Sequence, residues 1–87
     1  MGVMAAVMAL VKLPRGGRGW VADVRQSPVV SDCLPVRLRE LGFLDGEEIH
    51  VLMRGIRGGP IAVRVGGTTF ALRSAEAECV LVHRPPA

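Results

Sequence analysis

From Glu47 to Val82 the apolar residues of this chain return at every second position, and that period belongs to strands. Over 47–54, Ile49, Val51 and Met53 alternate with Glu48, His50, Leu52 and Arg54. Over 60–65, Ile61, Val63 and Val65 alternate with Ala62 and Arg64. Gly66-Gly67 follows, and a two-residue hairpin turn needs the positive φ that glycine supplies. Phe70 and Leu72 take one face of a strand over 68–73, and Val80 and Val82 one face of the last. Upstream the period changes. Leu34, Leu38 and Leu41 fall at i, i+4 and i+7, the stripe of a short helix. Asp32 is placed to cap its start, and Gly42 to close its end with a left-handed residue.

Before that helix, 8–13 reads as a strand ended by Pro14, 15–19 as a glycine-rich turn, and 19–25 as a second strand carrying Trp20, Val21 and Val24. The stretch 26–31 is a loop with Pro28, and 74–78 a polar turn with at most one turn of helix. The expected order is β-β-α-β-β-β-β. Short antiparallel strands around a small core predict a mostly β fold: a closed, small SH3-like barrel with one short helical insertion between the second and third strands. The 87 residues make a single domain over 1–87, with 1–7 a disordered lead and 84–87 a tail. Trp20, Phe43 and Phe70 are its aromatic residues, so Val, Leu and Ile must build the core. Ile49, Val51, Ile61, Val63, Val65, Phe70, Leu72, Val80 and Val82 are expected inside, and Trp20 with them.

The net charge of +3 comes from arginines scattered along the chain, with no run of four basic residues, so solvated faces are expected and a nucleic-acid partner is not. Cys33 and Cys79 form no CxxC and suit a reducing, cytoplasmic protein without a disulfide between them. The apolar start precedes its positive charges and falls short of about 20 residues, so neither a signal peptide nor direct membrane insertion is expected. No catalytic constellation is present. Ser27, Ser31 and Ser74 lie in turns outside any GxSxG, and Glu47 and Glu48 are neighbours pointing to opposite faces of a strand. The glycines at 16, 17 and 19 lack the lysine and hydroxyl end of a phosphate loop. An enzyme is therefore not expected. Metal ligands are Cys33, His50, Cys79 and His83, with Asp32, Glu47 or Glu78 as helpers. On one strand Cys79 and His83 would stand about 13 Å apart, too far for one ion. No cofactor is required on this reading, and a transition metal would bind adventitiously or between subunits. A proline-peptide groove needs more aromatic residues than the chain holds.

The order of several short motifs resembles the FeoA family. Leu38-Arg39-Glu40-Leu41-Gly42-Phe43-Leu44-Asp45-Gly46-Glu47-Glu48-Ile49 resembles its helix, Leu-Gly end and glycine turn into a strand. Gly59-Pro60-Ile61-Ala62-Val63-Arg64-Val65-Gly66-Gly67 resembles its Pro-Ile hairpin. Phe70-Ala71-Leu72-Arg73, then Glu76-Ala77 and Val80-Leu81-Val82, resemble its closing pattern. The likeness runs from about Leu10 to Val82, and departs from the family in a long loop at 26–33 and an arginine-rich one at 54–59. It implies an SH3-like barrel and a cytoplasmic, non-enzymatic accessory of ferrous iron uptake. The partner it implies is the cytosolic part of a membrane iron transporter that carries a GTPase domain. Two other readings stay open. One is a small basic barrel binding RNA through Arg54, Arg57 and the glycines between them. The other is a metal-sensing regulatory barrel like the C-terminal domain of iron- and manganese-dependent repressors.

The alternation places Leu52 and Leu81 on the outer face and Ile56 at a loop tip. Outward apolar residues in a chain of positive mean hydropathy predict a contact surface. The expected partner site is Leu52, Arg54, Ile56, Arg57 and Leu81, the arginines steering it toward an acidic face of the transporter or a second copy of the chain.

Overall fold

A computed structural model describes residues 7–28, 30 and 34–84. The strands are β1 (Val7–Ala9), β2 (Arg18–Val24), β3 (Glu48–Arg54), β4 (Ile61–Val65), β5 (Thr68–Leu72) and β6 (Val80–His83). A 3-10 helix spans Leu10–Lys12, and the α-helices are α1 (Leu34–Leu41) and α2 (Ser74–Glu78). One antiparallel sheet runs in the order β1-β6-β2-β3-β4-β5. The order runs from β1 to β5, and among the described residues no ladder pairs these two strands. Helix α2, which follows β5 in the chain, packs on the 3-10 helix that follows β1 and on β6.

Of the nine residues expected inside, eight are buried; Phe70 is half-buried and packs against the core. Its ring meets that of Phe43, with centroids 5.1 Å apart and planes at 53°. The helix end follows the rule read from Gly42. Gly42 has φ 120°, its N–H donates to the Arg39 carbonyl and that of Phe43 to the Leu38 carbonyl, the two bonds of a Schellman motif. This turn drives Phe43 into the core, where it is fully buried with Leu38. Leu41, expected on the buried stripe, is 50% exposed because the helix ends on it and Phe43 occupies the inner place. The proposed cap Asp32 lies outside the described residues. Arg39 ties α1 to β2 by donating to Asp23 at 3.0 Å and to the Val24 carbonyl at 3.3 Å.

Four further expectations are corrected. The strand expected over 8–13 stops at Ala9, since Leu10 and Leu13, three apart, both enter the core through a 3-10 turn closed by Leu13 N–H to Leu10 carbonyl at 3.0 Å. The polar turn at 74–78 is the second helix, anchored by buried Ala77. Trp20 is not core: Gly19 and Val21 face inward, so Trp20 points out and is 37% exposed. Finally, β3 carries a bulge. Val51 pairs with Val63 and Met53 with Ala62, leaving Leu52 as the extra residue. The bulge turns Met53 outward, to 62% exposure.

Gly19 explains why β2 and β6 approach so closely. A Cβ there would lie 2.7 Å from the His83 carbonyl oxygen. Gly19→Ala should therefore push β6 away and cost about 1–3 kcal/mol, as overpacking does. Thermal unfolding should show it as a lowered midpoint.

Candidate functional site

Among the described residues, the outer side of the β3–β4 hairpin carries the most exposed large apolar side chains, Ile56 and Met53. Its loop, 55–60, is closed by Gly55 N–H to the Pro60 carbonyl at 2.7 Å and by Gly59 N–H to the Ile56 carbonyl at 3.1 Å. Arg57 takes a left-handed φ of 49° at the turn, and Ile56 stands 87% exposed beside it. The register puts Met53, Ala62 and Ala71 in one cross-strand row. With Arg54, Gly55 and Pro60 they line a shallow, mostly apolar depression. Arg54 is half structural: its guanidinium donates to the Leu13 carbonyl and fixes the base of the hairpin to the chain before β2.

The five residues expected to form one partner site do not all meet. Arg54, Ile56 and Arg57 share the hairpin. Leu52 is half-buried at the bulge, and Leu81 is half-buried on β6 between Asp23 of β2 and Ala9 of β1. Val51 exchanges hydrogen bonds with Gly16 and Gly17, whereas Leu81 faces Asp23. The length of β2 therefore separates Leu52 from Leu81, about 20 Å at a strand's rise. Sequence reasoning missed Met53, Ala62 and Ala71. For Met53 the outward face is read one position out of phase, whereas Ala62 and Ala71 fall on the outward face of the alternation.

The metal candidates are dispersed. His50 sits between Arg18 of β2 and Arg64 of β4, and His83 between Val7 of β1 and Trp20 of β2. Cys79 is not on the strand with His83 but at the end of α2, where its thiol donates to the Ala75 carbonyl at 3.5 Å. Asp32 and Cys33 lie outside the described residues. Among the described residues no three His, Cys, Asp or Glu side chains converge on a metal position. Nor is any described helix long and apolar enough to cross a membrane.

Cys79 is a free thiol and buried. Burial pushes its pKa up, Glu78 and Glu76 push it further, and Arg25 opposes them. The folded thiol thus holds its proton to higher pH than the unfolded one. Its contribution to stability is complete below the ordinary thiol value and is lost as pH rises through and beyond it. Iodoacetamide should label Cys79 slowly in the native protein and quickly after urea, and the unfolding midpoint should fall in alkaline buffer. Rapid native labelling would contradict the buried placement.

A family model for the FeoA domain matches residues 8–84. The chain belongs to the FeoA family. Among solved structures, a Stenotrophomonas maltophilia FeoA complexed with zinc and described as an SH3 domain protein is 42% identical, with TM-score 0.75 over 86% of this chain and 88% of that one. A Chlorobium tepidum FeoA is 33% identical, with TM-score 0.78 over 91% and 71% of the two chains. A manganese-dependent transcriptional repressor shares the fold at 22% identity and TM-score 0.79, and this chain spans 44% of its length. A comparison with curated proteins found no match. The FeoA barrel here is thus the SH3-like fold expected from its alternation. In the FeoA domain the bulged hairpin with Met53 and Ile56 lies within the matched residues, so it is part of the barrel and not an appendage.

Proposed function

We propose that this FeoA-family protein is a non-enzymatic accessory of ferrous iron uptake that works in the cytoplasm by docking on the cytosolic part of a membrane iron transporter. The observation that carries the reading is the hairpin, its loop closed by backbone hydrogen bonds, with Ile56 at its tip, Met53 on its flank and Arg57 beside them. Apolar side chains held outward on such a frame favour contact over chemistry. The related Stenotrophomonas maltophilia protein is described as a candidate activating factor of ferrous iron transport. No cofactor is needed for docking, and a transition metal would add to it only adventitiously or between copies. The partner is a GTPase-bearing transporter region with an acidic face, toward which Arg54 and Arg57 steer the encounter.

The test is binding between the purified protein and that cytosolic region. Arg57→Glu should slow association and flatten its dependence on salt, while the fold is unchanged, since Arg57 is exposed. Submicromolar, sequence-dependent binding of RNA at physiological salt, with no transporter binding, would favour the RNA reading instead.

A further inference from the structure

Among the described residues the last strand in the sheet order, β5, has a partner on one side only. Unpaired edges are normally short, charged, bulged or broken by proline. β5 is none of these: it runs Thr68-Thr69-Phe70-Ala71-Leu72 in regular register with β4, and Thr68, Thr69 and Ala71 are exposed. Beside it lies a groove between β5 and α1, lined by Leu34, Leu38 and Leu41 on one wall and Phe70 and Leu72 on the other. Ala71 borders both this groove and the Met53 depression, so the two surfaces are continuous.

We infer that β5 is the docking edge, and that it takes an extended, acidic-apolar segment of the partner as an added antiparallel strand lying against α1. A strand added here sends alternate side chains to opposite faces. One set would fill the groove under Leu34, Leu38 and Leu41. The other would sit beside Thr69 and Ala71 and extend the row Met53–Ala62–Ala71. Around the β5 edge the charge has a cationic excess, Arg37 and Arg64 against Glu76. Arg37 stands on the α1 wall of the groove and Arg64 pairs with Thr69, and neither makes an ion pair within the described residues. Glu76, which accepts from the Arg73 N–H at 2.8 Å, is the one acidic group among the described residues of the groove lining. A second copy fits less well. Its β5, Thr68-Thr69-Phe70-Ala71-Leu72, carries no acidic residue to meet the arginines. The inference deepens the docking function proposed above and rests on it for the identity of the partner, though not for the edge itself.

The experiment uses the whole protein, isotope-labelled, and a synthetic peptide of alternating aspartate and valine. Added peptide should shift the amide resonances of Thr68–Leu72 and of α1, and slow exchange of the outward β5 amides at least tenfold. The same peptide with alternate amides N-methylated should lose binding at least tenfold, because it keeps its side chains and loses its strand edge. Arg37→Glu should weaken the parent peptide several-fold with the fold intact. Equal binding of the N-methylated peptide, shifts centred on Trp20 and His83, or a concentration-dependent dimer that protects β5 without peptide would each overturn the inference. The transporter region separates the two readings. If it binds and leaves the β5 amides unprotected, the edge is wrong and the docking function stands. If it does not bind while the peptide does, the partner is wrong and the edge stands.

Discussion

Phe43→Ala should lose about 3–5 kcal/mol of stability, the range for truncating a buried aromatic side chain. Phe43 is fully buried, and its ring stacks obliquely on Phe70. It also follows the glycine that ends α1, so the same side chain fills the core and holds the helix against it. Domains of this size are held by roughly 5–15 kcal/mol, so one substitution removes a large share. At about 4–8 °C per kcal/mol, the unfolding midpoint should fall by roughly 12–40 °C. Thermal unfolding followed by far-ultraviolet dichroism measures it. Phe43→Leu keeps most of the volume and should cost far less. Equal losses for both would mean that ring packing is not what Phe43 contributes, and a loss under about 1 kcal/mol for alanine would mean the core does not close over it.

The inner faces of the strands were legible because a half-buried strand writes its burial at every second residue. Ile49, Val51, Ile61, Val63, Val65, Leu72, Val80 and Val82 are all buried. The helix end was legible for a different reason: a left-handed position selects glycine, and Gly42 supplies it. What the pattern cannot carry is a change of phase. The bulge at Leu52 adds one residue between two apolar neighbours, so Leu52 and Met53 read equally well either way round. A similar shift in β2 falls between Val21 and Asp23. Trp20 was misplaced because size suggests burial, whereas its place between Gly19 and Val21 decides its face. The contact surface was therefore half legible. Ile56 and the arginines are marked by an exposed loop, while Met53, Ala62 and Ala71 come together only through the register of three strands.

Met53→Asp combined with Ile56→Asp should leave the fold intact and abolish docking. Both side chains are mostly in water in the free protein, 62% and 87% exposed, so charging them removes little packing. In a complex each would bury apolar area worth about 1.5–3 kcal/mol when fully covered. Together, even partly covered, they support a loss of about a hundredfold in affinity, at 1.4 kcal/mol for each factor of ten. An aspartate facing an acidic partner adds repulsion in the same direction. The unfolding midpoint should stay within a few degrees of the parent, and affinity for the transporter's cytosolic region should fall by that factor, with iron uptake in cells following it. The contrasting pair is Leu52→Asp with Leu81→Asp. These side chains are half-buried, one at a bulge beside fully buried Val51 and one between β1 and β2. Charging them should weaken the fold before it touches docking. If that pair instead folds normally and loses binding while the Met53 and Ile56 pair binds as the parent does, the contact face lies around β6 and the hairpin is only a brace.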